Sequence, residues 1–204
     1  MIALGDDDAI LGDLLPAGAS LDRVLDEHAR FVERKTRPLT PSPAPLFLNV
    51  SGIPGAGKST LAAQILREDP SLLYLSFDEL MEGLVGYRED FHRLGAAAAF
   101  ARWELPARHL GYRFLREAVD RRYSILFEHG NATPSHVALY RRLKLAGYRV
   151  EIRFLDVDVP TALERVRRRE RSFPEALVVE RAALLRELNE VYKEIVDKFE
   201  IIRS

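Results

Sequence analysis

Gly52-Ile53-Pro54-Gly55-Ala56-Gly57-Lys58-Ser59 has the spacing G-x-x-x-x-G-K-S and is followed by Thr60. A run of backbone N–H groups on a glycine loop that opens a helix makes a cradle for an anion. The glycines permit tight turns and close approach, and the helix N-terminus adds favourable partial charge. In such a loop Lys58 reaches the β- and γ-phosphates of a nucleoside triphosphate, and the Ser59 hydroxyl holds Mg²⁺. The competing reading is a glycine turn with a structural role alone. The flanks favour phosphate binding, because Leu46-Phe47-Leu48-Asn49-Val50 reads as a buried strand and Thr60 to Leu66 as a helix.

Three carboxylates follow apolar strand-like runs. Asp78 comes directly after Leu72-Leu73-Tyr74-Leu75-Ser76-Phe77, Glu128 after Tyr123-Ser124-Ile125-Leu126-Phe127, and Asp156 after the run from Tyr148 to Leu155. Phosphoryl transfer to a hydroxyl needs a carboxylate within hydrogen-bond reach of the acceptor, besides Mg²⁺ and positive charge around the γ-phosphate. Asp78 suits the carboxylate role, and it also suits an N-cap for a helix starting at Glu79. Glu128 suits orienting substrate hydroxyls or holding a Mg²⁺-bound water; a solvated strand end is the plain alternative. Gly130 permits a chain turn or a close substrate approach, and His129, with no second metal ligand at suitable spacing, reads as structural. The strand before Asp156 carries Glu151 and Arg153, which suits a more peripheral position in a sheet.

The sharpest local charge is Glu164-Arg165-Val166-Arg167-Arg168-Arg169-Glu170-Arg171, between Pro160 and Pro174. On a helix Arg165 and Arg169 share one face, Arg167 and Arg171 another, with Leu163 and Val166 toward the core. Permanently charged, planar guanidiniums on a lid can stabilise a phosphate in transfer. The alternatives are a solvated basic face and a nucleic-acid patch, though the cluster lacks the interleaved aromatics of a stacking platform.

Alternating elements must position these groups. Strands near 46–50, 72–77, 123–127, 148–155 and 199–203 are separated by helical stretches over 60–66, 79–121 (interrupted near Pro106), 134–146, a helix opened by Pro160, and 175–198. This β–α order means a parallel sheet covered by helices on both faces, an α/β/α sandwich with a helical insert and an arginine-rich lid. Ligands of such sheets bind beyond the carboxyl ends of the strands, which sets the phosphate loop, Asp78 and Glu128 on one rim. Before the sheet, residues 20–36 read as a helix capped by Ser20, with Leu21, Val24, Leu25, His28, Phe31 and Val32 on one stripe. That stripe can pack on the core or bind a partner. A proline-rich linker follows over 36–45. Residues 1–45 are therefore read as N-terminal helix and linker, and 46–204 as one α/β P-loop domain.

The 204 residues are 47% hydrophobic, carry a net charge of −1 and include no cysteine. That excludes a disordered chain, disulfides, thiolate catalysis and cysteine metal sites, and gives no global charge to draw nucleic acid or membrane. The N-terminus is acidic and unlike a secretory signal, and no apolar run is long enough to span a bilayer. The expectation is a soluble cytoplasmic protein. No Asp-x-x-Gly or Asn-Lys-x-Asp occurs, so a Ras-like GTPase is not expected, and no glycine-rich arginine-finger segment suggests a ring ATPase. A kinase fits best.

Over about residues 46–175 the chain resembles the zeta-toxin family of P-loop small-molecule kinases and its polynucleotide kinase relatives. The likeness rests on Gly52 to Thr60, Phe77-Asp78, Trp103-Glu104, Ile125-Leu126-Phe127-Glu128-x-Gly130, the stretch Leu143 to Glu151, Val159-Pro160 and Arg171-Ser172-Phe173-Pro174. The resemblance implies ATP-dependent phosphorylation of a hydroxyl, on a nucleotide sugar such as UDP-N-acetylglucosamine, with Mg²⁺ as cofactor and an antitoxin as protein partner. It makes Asp78 the catalytic base, Lys58 and Ser59 the phosphate and Mg²⁺ residues, and Glu128 with Gly130 the substrate side. Arg171 matches one of two lid arginines, and the other falls among Arg165, Arg168 and Arg169. Two positions depart from the family pattern: Glu128-His129-Gly130 lacks the threonine that follows "E-G", and Glu170 replaces the lid glycine. The competing readings are a polynucleotide 5′-hydroxyl kinase and a nucleotide-binding regulatory module without turnover.

Overall fold

β1 (Leu46–Ser51) is buried along all but its first residue and lies at the centre of a five-stranded sheet. The computed structural model describes residues 7–168 and 175–203. The sheet order is β2-β3-β1-β4-β5, with β2 at Leu73–Ser76, β3 at Ile125–Glu128, β4 at Arg149–Asp156 and β5 at Lys198–Arg203. β1 pairs in parallel with β3 and β4, and β4 in parallel with β5. Strands joined in parallel need crossovers, so helices must alternate with them. Within the sheet unit these are α3 (Lys58–Glu68), α7 (Ser135–Leu145), α8 (Val159–Arg167) and α9 (Glu175–Ile195). β1 leads toward β2 at one edge and β4 toward β5 at the other, so their carboxyl ends flank a crevice.

Chain contacts among the described residues define two compact units: 38–75 with 118–168 and 175–203, which hold the sheet, and 7–37 with 76–117, which are helical. In the sheet unit Leu48, Val50, Leu126 and Leu155 from the strands meet Ala62, Ile65, Ala162, Val178 and Leu185 from the helices in one apolar core. The proline-rich segment is held by Arg122, whose Nη2 donates to the Pro43 carbonyl at 2.8 Å and whose own carbonyl accepts from Ser42 N at 2.9 Å.

β4 is an interior strand, flanked by β1 and β5, and not the peripheral one its charges suggested. Its charges are tolerated because they are paired. Arg149 Nε meets Glu151 Oε1 at 3.0 Å, and Arg153 stands directly opposite Glu200 on β5, 3.6 Å away.

The helical unit holds α1 (Asp7–Leu14), α2 (Leu21–Thr36), α4 (Phe77–Gly83), α5 (Val85–Leu94) and most of α6 (Ala96–Asp120). α2 has the expected bounds, and its Ser20 cap accepts from Arg23 N at 3.3 Å. Val24, His28, Phe31 and Val32 are buried, so its stripe packs within this unit. α1 was not expected. Its Asp7 pairs with Arg116 (2.6 Å) and His109 (3.0 Å), and Asp8 with Arg113.

α6 runs unbroken through Pro106, against the expected interruption. An interior proline costs a helix about 3 kcal/mol, but Ala99, Trp103, Ala107, Leu110, Phe114 and Ala118 recur at helical spacing and are buried. Burial at roughly 1.5–3 kcal/mol for each large side chain offsets that penalty. Trp103 closes on Gly86, where a Cβ would stand 2.5 Å from the indole. Its Nε1 donates to Asp90 at 3.0 Å, beside Arg102 (2.8 Å) and Arg93 (2.5 Å). Burial alone would raise the Asp90 carboxyl, but these three donors outweigh it and hold the group below the usual carboxylate range.

Candidate active site

The loop between β1 and α3 turns on three glycines with positive φ: Gly52 (146°), Gly55 (85°) and Gly57 (96°). Two of them also face close neighbours. A Cβ on Gly52 would lie 3.0 Å from the Leu155 carbonyl oxygen, and one on Gly55 only 2.4 Å from that of Ala162. The loop is thereby seated on the end of β4 and the first turns of α8. Gly57 is the N-cap of α3 and supplies no side chain to the first turn; Thr60 N–H turns back to the Gly57 carbonyl at 3.1 Å, and the N–H groups of Lys58 and Ser59 at the helix start suit an anion. Thr60 is exposed at this helix start, and Pro54 and Ala56 complete the loop. Lys58 Nζ donates to the carbonyls of Gly52 (3.0 Å) and Ile53 (3.1 Å), so the ammonium spans the loop mouth.

Glu128 ends β3 beside β1, and there the carboxylate meets the loop. Ser59 Oγ donates to Glu128 Oε1 at 2.7 Å, while the Tyr74 hydroxyl on β2 donates to Oε2. A hydroxyl and a carboxylate this close are the oxygen ligands a hard cation such as Mg²⁺ takes. The glycine-lined cradle beside them is the space its nucleotide would need. The residues present therefore fit Mg²⁺ carried with a nucleotide. No cluster of three or more metal-ligating acids or histidines occurs among the described residues. Gly130 is also brought to the loop, with a Cβ site 3.4 Å from the Gly52 carbonyl oxygen, and its own carbonyl accepts from Ser51 Oγ at 3.3 Å.

Behind this segment lies a buried polar cluster that sequence reasoning missed. Asn131 is fully buried, with φ of 66°. Its Oδ1 lies 2.7 Å from the Tyr140 hydroxyl and 2.6 Å from His136 Nδ1, and its N–H donates to His129 Nδ1 at 3.0 Å. Asn49, in the middle of β1, donates to the Phe127 carbonyl at 2.9 Å. His129 stacks flat on Phe127, with centroids 5.2 Å apart. These contacts fix the turn after Glu128 and give His129 a structural task. Asn49 was the available signal, a polar residue inside the apolar run from Leu46 to Val50, as was Tyr74 in β2.

On α8, Asp158 caps the helix by accepting from Thr161 N at 2.8 Å. Thr161 N–H and hydroxyl hold the Asp158 carboxyl below its usual range, with a smaller contribution from Arg165. Arg165 Nη1 reaches the Gly55 carbonyl at 3.5 Å and so stands at the loop. Arg167 is engaged by Glu175 at 2.6 and 3.0 Å, and Arg168 by Glu164. Both are exposed ion pairs of the solvated kind. Arg169 and Arg171 lie outside the described residues.

Asp78 belongs to the helical unit, exposed in the first turn of α4 and two residues beyond β2 in the chain. It is not the helix cap, because Ser76 accepts from Glu79 N at 3.5 Å and takes that place. Asp156 is exposed at the end of β4.

A parallel sheet of this order with a glycine loop, lysine and serine at the head of its first crossover helix is a P-loop fold of the kinase-like, nucleotide-binding phosphotransferase class. The chain belongs to the zeta toxin family, whose model matches residues 29–204. It is similar to a chain of the PezAT chromosomal toxin–antitoxin system of the human pathogen Streptococcus pneumoniae: TM-score 0.75 at 18% identity, covering 91% of this chain and 79% of that one. It is also similar to a chain of the AvrRxo1-ORF1:AvrRxo1-ORF2 complex (TM-score 0.61, 15% identity, 97% of this chain, 62% of that one). A chain of the Pnkp1/Rnl/Hen1 RNA repair complex matches at TM-score 0.55 and 15% identity, over 72% of this chain and 46% of that one. The chain thus spans less than two thirds of these last two. At such identities the likeness speaks for the fold. No curated protein matches the chain in sequence. No described helix is long and apolar enough to cross a membrane.

Proposed function

We propose that this chain is a Mg²⁺- and ATP-dependent kinase that transfers the γ-phosphate to a hydroxyl of a small molecule. The observation that carries this reading is the joined geometry of the glycine cradle, Lys58, and the Ser59 hydroxyl hydrogen-bonded to Glu128. Lys58 and backbone N–H groups of the Gly52–Thr60 loop hold the phosphates, and Ser59 supplies the ligand for Mg²⁺, which when bound neutralises charge on the phosphates. Asp78 takes the acceptor proton. Arg165, Arg169 and Arg171 are the arginines that stabilise the charge developing on the transferring group. Glu128 and Gly130 line the acceptor side; the Ser59 contact also supports Glu128 as a partner of the metal. Family membership supports a nucleotide sugar such as UDP-N-acetylglucosamine as acceptor, an antitoxin as protein partner, and a cytoplasmic setting.

The test is incubation with Mg²⁺-ATP and a pool of nucleotide sugars, nucleosides and oligonucleotides, followed by mass spectrometry. One pool member, a small molecule, gains a phosphate, and Lys58→Ala loses both ATP binding and product. Phosphate on oligonucleotides alone would reassign the chain as a polynucleotide kinase.

A further inference from the structure

Glu128 has both carboxylate oxygens engaged within the sheet unit, Oε1 by the Ser59 hydroxyl at 2.7 Å and Oε2 by the Tyr74 hydroxyl. Tyr74 lies on the edge strand β2, next to β3, and its ring packs against the apolar core that includes Leu72 and Leu126. A phenol whose ring is set by packing has a hydroxyl in a fixed place. A carboxylate held on one oxygen by a fixed phenol, in a charge-assisted bond, has less freedom to swing and presents its other oxygen to Ser59. The constraint passes on to Ser59. Its single proton is committed to Glu128 Oε1, so the oxygen lone pairs face away from the carboxylate. A hydroxyl that gives its proton to a carboxylate is also the stronger lone-pair donor toward a hard cation.

We propose that Tyr74 is a positioning residue for the metal-binding hydroxyl of Ser59, acting through Glu128, so that the series Tyr74–Glu128–Ser59 sets the affinity for the Mg²⁺ that accompanies the nucleotide. This rests on Ser59 as the Mg²⁺ ligand in the function proposed above. In this reading Tyr74 acts through Glu128 and is not itself a ligand of the metal. Its effect is confined to conditions in which the metal is present, which separates it from a side chain that merely supports the loop.

Tyr74→Phe tests this, because it keeps the ring in the core and removes only the hydroxyl. ATP affinity of the full chain is measured by titration calorimetry across a Mg²⁺ series and again in excess EDTA, with thermal melting as a check on folding. Loss of such an outer hydrogen bond weakens metal binding by about tenfold or more. The variant is expected to need about ten times more Mg²⁺ to reach full ATP affinity, to match the wild type in EDTA, and to melt within a degree or two of it. Glu128→Gln is expected to shift the Mg²⁺ requirement in the same direction. A Tyr74→Phe titration that overlays a Mg²⁺-dependent wild-type curve overturns the inference and leaves the kinase reading standing. So does an equal loss of affinity with and without Mg²⁺. A wild-type chain whose ATP binding ignores Mg²⁺ overturns the proposed function, and this inference with it.

Discussion

Gly55 and Ala162 meet so closely that a Cβ on the glycine would lie 2.4 Å from the alanine's carbonyl oxygen. The phosphate loop is therefore not a free-standing turn but is keyed into the backbone of α8. Gly55 also has φ of 85°, which an L side chain rarely adopts. Gly55→Ala meets both penalties, and the clashing partner is backbone, which cannot rotate away. The expected outcome is a loss of roughly 2–4 kcal/mol in urea unfolding with at least tenfold weaker ATP binding. By contrast Gly18→Ala, at an open position of positive φ in the turn between α1 and α2, costs stability without touching nucleotide affinity.

The arginines of α8 differ in what they touch, and their variants are expected to differ accordingly. Arg165 stands 3.5 Å from the Gly55 carbonyl, whereas Arg168 is paired with Glu164 on the exposed face of its own helix. Removing one donor to a developing charge typically costs about 10²–10³ in turnover, and an exposed ion pair is worth little. Arg165→Ala should lower kcat into that range with melting unchanged, and Arg168→Ala should stay within about threefold of wild type. Steady-state kinetics on the identified acceptor decides between them; equal effects would contradict a distinct role for Arg165.

His28 gives the helical unit a pH dependence. Its Nε2 donates to the Leu110 carbonyl at 3.2 Å in a buried site against Phe114. Burial, with Arg113 and then His109 adding positive charge nearby, outweighs that hydrogen bond and lowers the imidazole from 6.5 to about 4. The unfolded chain takes up this proton below about pH 6.5, and the folded chain only near pH 4. The stability contribution is complete above pH 6.5 and is lost as pH falls toward 4, up to about 3 kcal/mol in all. Urea midpoints of His28→Gln should fall less steeply than those of wild type across that window. Parallel curves would show that His28 is not titrating there.

Much of the sheet was legible because buried strands and amphipathic helices leave periodic traces. The run from Leu46 to Val50, Ser20 before α2, and glycine, lysine and serine in fixed spacing each carry their structure locally. Other features depend on partners far along the chain. α6 passes Pro106 because Trp103, Leu110 and Phe114 bury against other helices, and charged β4 sits inside the sheet because Arg153 finds Glu200. Ser76, not Asp78, caps α4, since the helix starts two residues earlier than the apolar run suggested. Of the site, the loop and Glu128 could be read in sequence. The Tyr74 contact and the buried Asn49–Tyr140–Asn131 cluster could not, because they join residues from separate strands and helices.

Whether the bound phosphate is transferred is decided by one comparison, γ-labelled ATP supplied to wild type and to Asp78→Asn with the acceptor pool. A positioned general base contributes about 10²–10⁴ in rate. Wild type is expected to move label to a small-molecule hydroxyl, and Asp78→Asn to bind ATP equally well while transferring at least about a hundredfold more slowly. ATP bound by wild type with no labelled product in any pool member would contradict a kinase and leave a nucleotide-binding module without turnover.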